Sequence, residues 1–152
     1  MKTAIVYYSQ HHENTKKLLD AIAAQEDVTL INVVENKNAD LTAFACVGFA
    51  SGIYFASFAK QLLAFAETNL PDKKDVFFMN TCGVQRGVYF DAIRRITKVK
   101  QCRELGAYQC LGFDTFGPFK LVGGIAKGHP NEDEIAAAVS FYQTIVDGAL
   151  SR

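Results

Sequence analysis

Ala4-Ile5-Val6-Tyr7-Tyr8-Ser9-Gln10-His11-His12-Glu13-Asn14-Thr15-Lys16-Lys17-Leu18-Leu19 decides how the chain reads. Ala4 to Tyr8 is a short apolar run rich in β-branched and aromatic residues, the pattern of a buried strand. Leu18, Leu19 and Ile22 then recur at helical spacing, with Ala21, Ala23 and Ala24 filling the turns. Between strand and helix lie seven residues, Ser9 to Thr15, rich in hydrogen-bonding side chains. The first N–H groups of a helix have no intrahelical partner, and the helix dipole adds partial positive charge there. The Ser9 and Thr15 hydroxyls, the Asn14 amide and the imidazoles of His11 and His12 add further donors. A phosphate suits such a place. The plainer alternative is that Asn14 or Thr15 caps the helix. The loop has no Gly-Lys-Ser/Thr, so it is not a Walker loop, and it lacks the dinucleotide glycine fingerprint.

A chain of 152 residues suits one domain, residues 1–152, and 49% hydrophobic residues make it globular rather than disordered. Lys+Arg and Asp+Glu both number 16, which gives no electrostatic reason to expect nucleic acid or a membrane surface as partner. The most apolar region, Phe44 to Phe65, is interrupted by Gly48, Ser51, Gly52 and Lys60, so no membrane span is expected. The first residues lead straight into a strand, unlike a signal peptide. Cys46, Cys82, Cys102 and Cys110 form no Cys-x-x-Cys pair, and scattered thiols point to the reducing cytoplasm.

Further along, Val28 to Val34 reads as a second strand and Phe44 to Phe49 as a third, followed by a loop, Ala50-Ser51-Gly52-Ile53-Tyr54. Phe55 to Asn69 reads as a helix with Phe55, Phe58, Leu62 and Phe65 on one face, ended by Pro71. Asp75 to Met79 is a fourth strand, leading into Asn80-Thr81-Cys82-Gly83. Tyr89 to Glu104 reads as a helix closed by Gly106, and Tyr108 to Phe113 as a fifth strand. Asp114 to Pro130 is rich in Gly and Pro and reads as a long loop. Asn131-Glu132-Asp133-Glu134 carries a cap and an acidic first turn, with Ile135, Val139, Tyr142 and Ile145 as the buried stripe of the last helix.

Continuous apolar strands alternating with helices imply a parallel sheet between two helix layers. Ligands of such sheets bind beyond the carboxyl ends of the strands, where the strand order reverses. The loops expected there are Ser9–Thr15, Ala50–Tyr54 and Asn80–Gln85, all built from small, hydroxyl, amide and glycine residues.

The order of these pieces resembles the flavodoxin family. That family opens with a strand, Tyr-x-Ser and a hydroxyl-rich loop ending in Gly-Asn-Thr; here the run is Tyr7-Tyr8-Ser9-Gln10-His11-His12-Glu13-Asn14-Thr15. Val47-Gly48-Phe49-Ala50-Ser51-Gly52-Ile53-Tyr54 matches its glycine loop after the third strand, and Asn80-Thr81-Cys82-Gly83 its fourth strand end. Gly112 to Lys120 and Gly123 to Asn131 look like the tail of small bacterial and archaeal members. The resemblance covers essentially the whole chain. It implies a flavodoxin-like three-layer sandwich with a five-stranded parallel sheet in the order 2-1-3-4-5.

It also implies FMN as cofactor. Ser9, Gln10, His11, His12, Glu13, Asn14 and Thr15 would then hold the phosphate. Ser51, Gly52, Ile53, Tyr54 and Phe55, with Asn80, Thr81, Cys82, Gly83 and Val84, would flank the ring. Gly52 is the candidate for the family's peptide flip, since glycine turns its peptide plane at little cost. Backbone N–H groups of Thr81 to Val84 would meet the ring's pyrimidine edge. Tyr54 would stack on one face; otherwise it is an ordinary half-buried tyrosine.

The chain departs from the family in four places. Glu13 stands where the motif has glycine, and a carboxylate there opposes a phosphate unless it faces solvent. The first loop is one residue longer. Val84 replaces an aromatic, and the neutral charge removes the acidic steering of true flavodoxins.

His11 and His12 read as one phosphate donor and one solvent-facing residue, because adjacent side chains rarely converge on one metal ion. Cys82 reads as a small loop residue, with a reactive thiol as the alternative. Three functions follow. The first is an electron carrier handing electrons between redox partner proteins, as a monomer or weak dimer. The second is an FMN-dependent NAD(P)H:quinone-type reductase with a small-molecule donor and acceptor, its site roofed by the loop from Thr115 to Pro130. The third is an interaction module that has lost its flavin.

Overall fold

The computed structural model describes residues 2–10, 12–115 and 117–150. The elements run β1 (Thr3–Tyr8), α1 (Asn14–Gln25), β2 (Thr29–Asn32), β3 (Cys46–Tyr54), β4 (Ser57–Phe58), α2 (Lys60–Asn69), β5 (Asp75–Cys82), α3 (Asp91–Val99), β6 (Arg103–Leu111) and α4 (Glu132–Leu150). Short 3₁₀ turns occupy Gly87–Phe90 and Gly117–Val122.

Five strands pair in parallel in the order β2-β1-β3-β5-β6, which is the expected doubly wound order, and β4 adds a two-residue antiparallel pairing to β3. Every residue of β1 is buried, because helices cover both faces. Ala4, Val6, Val47, Phe49, Val76 and Phe78 face α2 and α3, where Leu62, Phe65 and Ile93 meet them. Ile5, Tyr7, Ala50, Phe77 and Met79 face α1 and α4, against Leu18, Leu19, Ile22, Tyr142 and Ile145. The sandwich therefore has two cores divided by one sheet. Among the described residues no helix is long and apolar enough to cross a membrane.

Several boundaries differ from the sequence reading. Residues Ala50 to Tyr54 continue β3 instead of forming a loop, and the chain turns back at Phe55 and Ala56, both at positive φ (51° and 60°). Two left-handed residues joining the Tyr54–Ser57 pair make a tight hairpin. The helix expected from Phe55 accordingly starts at Lys60, and Phe55 leaves the buried stripe to stand 85% exposed at the hairpin tip.

The third helix ends at Val99, not Glu104. Gln101 takes the left-handed position (φ 58°), with Gln101 N–H bonding Lys98 O and Cys102 N–H bonding Thr97 O, both at 3.0 Å. This is a Schellman stop built without glycine. Gly106, expected to close that helix, lies inside β6 at a β-bulge: Glu104 pairs with Val76 and Gly106 with Phe77, leaving Leu105 between. Strand six thus begins at Arg103 and ends at Leu111, and the long loop after it contains the Gly117–Val122 turn.

The start of α4 is as expected. Asn131 Oδ1 accepts the Glu134 N–H and Glu134 Oε1 accepts the Asn131 N–H, each at 2.9 Å, a reciprocal capping box. Glu134 does more than cap: Oε2 accepts the Leu111 N–H at 3.1 Å, Oε1 pairs with His129 Nδ1, and the Glu134 carbonyl accepts the Tyr108 hydroxyl at 2.6 Å. Burial pushes this carboxyl up, but the bonds from Asn131, His129 and Leu111 outweigh it and hold it below its ordinary value.

A carboxyl with a depressed folded pKa stabilises the fold above its unfolded value and loses that contribution as pH falls through the folded value. Glu134→Gln is therefore expected to cost about 1–3 kcal/mol at neutral pH. It should also flatten the wild type's loss of stability below about pH 4.5. Urea unfolding of both proteins between pH 7 and pH 3 checks both effects.

Candidate functional site

The carboxyl ends of β1, β3, β5 and β6 surround one cleft, lined by Gln10, Asn14, Gly52, Ile53, Tyr54, Thr81, Cys82, Gly112, Phe113 and Asp114. Its position at the β1/β3 junction is where the sheet's strand order reverses.

The first loop is held by inward-turned side chains. Thr15 and Thr81 hydroxyls share a buried hydrogen bond of 2.8 Å, tying the start of α1 to the end of β5. Asn14 Nδ2 donates to the Phe113 carbonyl at 2.7 Å, while Asn14 Oδ1 is buried without a partner. Neither Asn14 nor Thr15 caps its own helix, which corrects the plainer sequence reading. The Ser9 hydroxyl accepts the Lys16 N–H at 3.2 Å instead. Glu13 is the N-cap residue, exposed, left-handed (φ 53°) and without a capping hydrogen bond. The family's glycine thus stood for a backbone requirement that Glu13 meets under strain. His12, also left-handed (φ 70°), lays its ring against Phe113 with centroids 4.4 Å apart and reaches the Thr115 hydroxyl through Nε2 at 3.3 Å. His11 lies outside the described residues.

Tyr54 bridges the cleft. Its hydroxyl accepts the Gln10 N–H at 3.3 Å, and its ring meets Tyr8 edge-on with centroids 5.5 Å apart. A Cβ built on Gly52 would lie 3.1 Å from the Tyr54 hydroxyl, so the ring sits directly over that glycine. Burial pushes the phenol up to about 12, so it remains protonated at neutral pH.

The third segment enters as strand, not loop. Asn80, Thr81 and Cys82 belong to β5 and pair with β6, so only Gly83 and Val84 carry N–H groups beyond the strand. Gly83 lies beneath the later loop, its absent Cβ falling 2.4 Å from Ile125 Cδ1. Val84 is exposed and does not line the cleft. Cys82 is buried, its thiol directed at the Cys110 carbonyl and pushed up to about 12 by burial, which suits the inert reading.

Of the residues singled out from sequence, Gln10, Asn14, Gly52, Ile53, Tyr54, Thr81 and Cys82 converge on the cleft. Ser9, Thr15, Ser51, Asn80 and Gly83 support it from behind, and Phe55 stands outside at the hairpin tip. Gly112, Phe113 and Asp114 were not expected there. They looked like the end of a strand and the start of a loop. The signal was Gly112 itself, where a Cβ would come within 2.8 Å of Asn14 Nδ2. Beyond it, Asp114 and Ile125 exchange two backbone hydrogen bonds (2.8 and 2.9 Å), folding the segment back toward the cleft.

A parallel sheet of this order, with its cleft at the β1/β3 switch point, defines a flavodoxin-like doubly wound α/β domain. The chain belongs to the flavodoxin-domain family, whose model matches residues 5–90. An uncharacterized protein of Methanocaldococcus jannaschii is 34% identical over 148 residues, covering 96% of this chain and 99% of that protein. Among solved structures, oxidised flavodoxin 2 from Bacillus cereus superposes with a TM-score of 0.67 at 13% identity, covering 97% of this chain and 99% of that one. An NADPH-quinone reductase from P. pentosaceus gives 0.64 at 13% identity, over 93% and 97%. At such identities the structural likeness speaks for the fold alone.

Replacing Glu13 by glycine removes the left-handed strain of a side chain at that N-cap. Glu13→Gly is expected to raise stability by about 1 kcal/mol, read as a higher midpoint in thermal or urea unfolding.

A second expectation concerns thiols. Cys46, Cys82 and Cys110 are buried and pushed up to about 12, while Cys102 is only partly buried. A thiol reagent should label Cys102 first, and the other three only on unfolding.

Proposed function

We propose that this protein binds FMN in the cleft and serves as an electron carrier. The observation that carries the reading is the cleft itself, where a glycine under a tyrosine, a helix N-terminus and an unpartnered amide oxygen meet. Gly52, with no side chain, lets the Tyr54 ring lie close against the backbone, and Tyr54 supplies an aromatic face to the cleft. The N-terminus of α1 offers N–H groups and dipole to a phosphate. Asn14 Oδ1, buried and unpartnered at the cleft, is an acceptor suited to a hydroxyl of the cofactor's chain. Glu13, being exposed, need not face the phosphate.

FMN, when bound, takes up and releases electrons; the protein sets its orientation and potential. Tyr54 and Gln10 close the cleft on one side, and Phe113 and Asp114 on the other. No side chain is assigned an acid–base role: the Tyr54 phenol and the Cys82 thiol are both pushed up to about 12, so both stay protonated at neutral pH. Redox partners meet this cleft with little help from charge, since the chain carries 16 cationic and 16 anionic side chains.

A second reading, an FMN-dependent reductase with a nicotinamide donor, is favoured by one observation. A groove of about 560 Å³ opens beside the cleft and shares Gln10 with the cleft's walls, while its Tyr8 meets the cleft's Tyr54 edge-on. Lys37, Asn38, Gln61 and Phe65 also line it, so that with Gln10 it offers one cation, three amides and an apolar floor. That is room for a small donor or acceptor molecule.

Titration of the apoprotein with FMN is expected to quench flavin fluorescence to a one-to-one end point. Tyr54→Ala should weaken binding about tenfold through loss of the aromatic face. Rapid oxidation of NADH or NADPH by the loaded protein would instead favour the reductase. An unchanged FMN spectrum with protein in excess would leave the interaction-module reading.

A further inference from the structure

The groove beside the cleft has two fixed walls. One is α2, which presents Gln61, Ala64, Phe65 and Thr68 at helical spacing. The other is the connection after β2, shaped by Asn32. Asn32 Oδ1 accepts the Val34 N–H and the Asn32 carbonyl accepts the Asn36 N–H, both at 3.0 Å. Asn69 Nδ2, at the end of α2, donates to the Lys37 carbonyl at 2.9 Å and ties the two walls together. Val33 and Phe65 lie buried beneath as an apolar floor.

The charge on these walls is one-sided. Among the described residues Lys37 lines the groove and no carboxylate does. An adjoining groove of about 380 Å³ shares Tyr8 and Gln61 with it, and again holds a lysine, Lys60, without a carboxylate. The grooves along α3 differ: one sets Glu67 and Asp72 beside Arg95 and Lys100, the other sets Asp91 and Glu104 beside its cations. In a chain with 16 cationic and 16 anionic side chains, the surface next to the cleft therefore carries a local positive excess. The exposed Lys37 ammonium and the exposed Asn38 and Gln61 amides enter no hydrogen bond or ion pair among the described residues.

These parts match one kind of ligand. A lysine ammonium suits a phosphate. A carboxamide offers a donor and an acceptor side by side, the pattern that pairs with the exocyclic amine and N7 of adenine; guanine presents two acceptors there and calls for arginine or lysine. The apolar floor receives the flat face of a base, and the volume falls in the range of small-molecule sites.

We propose that the groove between α2 and the connection after β2 binds an adenosine monophosphate group, with Lys37 on the phosphate and the Asn38 and Gln61 amides on the base. A free adenine nucleotide and the adenosine half of a nicotinamide dinucleotide share this chemistry. The groove meets the cleft at Gln10, so the other half of a dinucleotide held here is placed to reach the cleft. The site stands apart from the cleft, and only its use by a dinucleotide rests on the reductase reading above.

The test is a titration of AMP into the protein, with and without saturating FMN, followed by amide NMR. One-to-one, saturable shifts are expected at Val34, Lys37, Asn38, Gln61 and Thr68 in both forms. Lys37→Glu should weaken AMP about tenfold through loss of the phosphate partner. Lys98→Glu, an equal change of charge at an exposed position on α3, should leave binding within about twofold of wild type. Inosine monophosphate, which lacks the exocyclic amine, should bind about tenfold more weakly than AMP.

Three results overturn the site: no shifts at about 10 mM AMP, AMP binding abolished by FMN, which would put AMP in the cleft, or equal weakening by Lys98→Glu, which would make the attraction diffuse. NADH binding at least about tenfold tighter than AMP, with shifts extending to Gln10 and Tyr54, assigns the site to a dinucleotide; equal affinities assign it to a free nucleotide. A protein that binds AMP in the groove but takes up no FMN overturns the flavin reading and leaves this site standing. FMN-loaded protein that ignores both AMP and NADH overturns the site alone.

Discussion

The buried hydrogen bond between the Thr15 and Thr81 hydroxyls fixes the geometry on which the carboxyl edge depends. It joins the first turn of α1 to the end of β5, residues 66 apart in sequence. With the Asn14 amide bound to the Phe113 carbonyl, it draws three loop regions toward one point. Both side chains are thereby withdrawn from capping α1. Ser9 supplies part of what they withhold, by accepting the Lys16 N–H. The end of the helix is left with polar backbone facing the cleft, which is the property an anion site needs.

The frame that presents this edge follows from burial on both faces of the sheet. Past Thr3 and Asp75 at their amino ends, β1, β3 and β5 carry no hydroxyl-aliphatic, amide or charged residue until they reach the carboxyl end. There the composition changes abruptly, at Ser9, Ser51 and Asn80. Ser51 and Asn80 are fully buried and polar where the preceding Phe49 and Phe78 are fully buried and apolar. The change marks where packing ceases to be the sole demand on these positions.

That change, and the apolar runs before it, made the sheet and its order legible in the sequence. What was not legible had local physical causes. The hairpin at Phe55–Ala56 uses left-handed residues with none of the Asn-Gly chemistry by which such turns are recognised. Helix α3 stops at a left-handed Gln101, so the nearest glycine, Gly106, was read as its end when it serves a bulge. Gly112, Phe113 and Asp114 escaped notice because their role comes from contact with Asn14, far away in sequence. In each case tertiary contacts overrode a local preference.

The strain has a pattern of its own. Among the described residues, the non-glycine residues with positive φ are His12, Glu13, Phe55, Ala56, Lys73, Gln101 and Ala126. His12 and Glu13 lie in the first loop, Phe55 and Ala56 at the hairpin beside Tyr54, and Ala126 in the segment that folds back over Gly83. Lys73 and Gln101 sit near the opposite edge, where each belongs to a tight connection. The unpartnered buried atoms of Asn14 and Asn80 join the first group. Left-handed side chains and unsatisfied amides each lower stability, and a fold under no other demand would disperse or remove them. Here they gather around one cleft, between the elements that the Thr15–Thr81 bond holds together. The gathering leaves the carboxyl edge less stable than its frame, and it accords with the proposal that a ligand binds there and completes it.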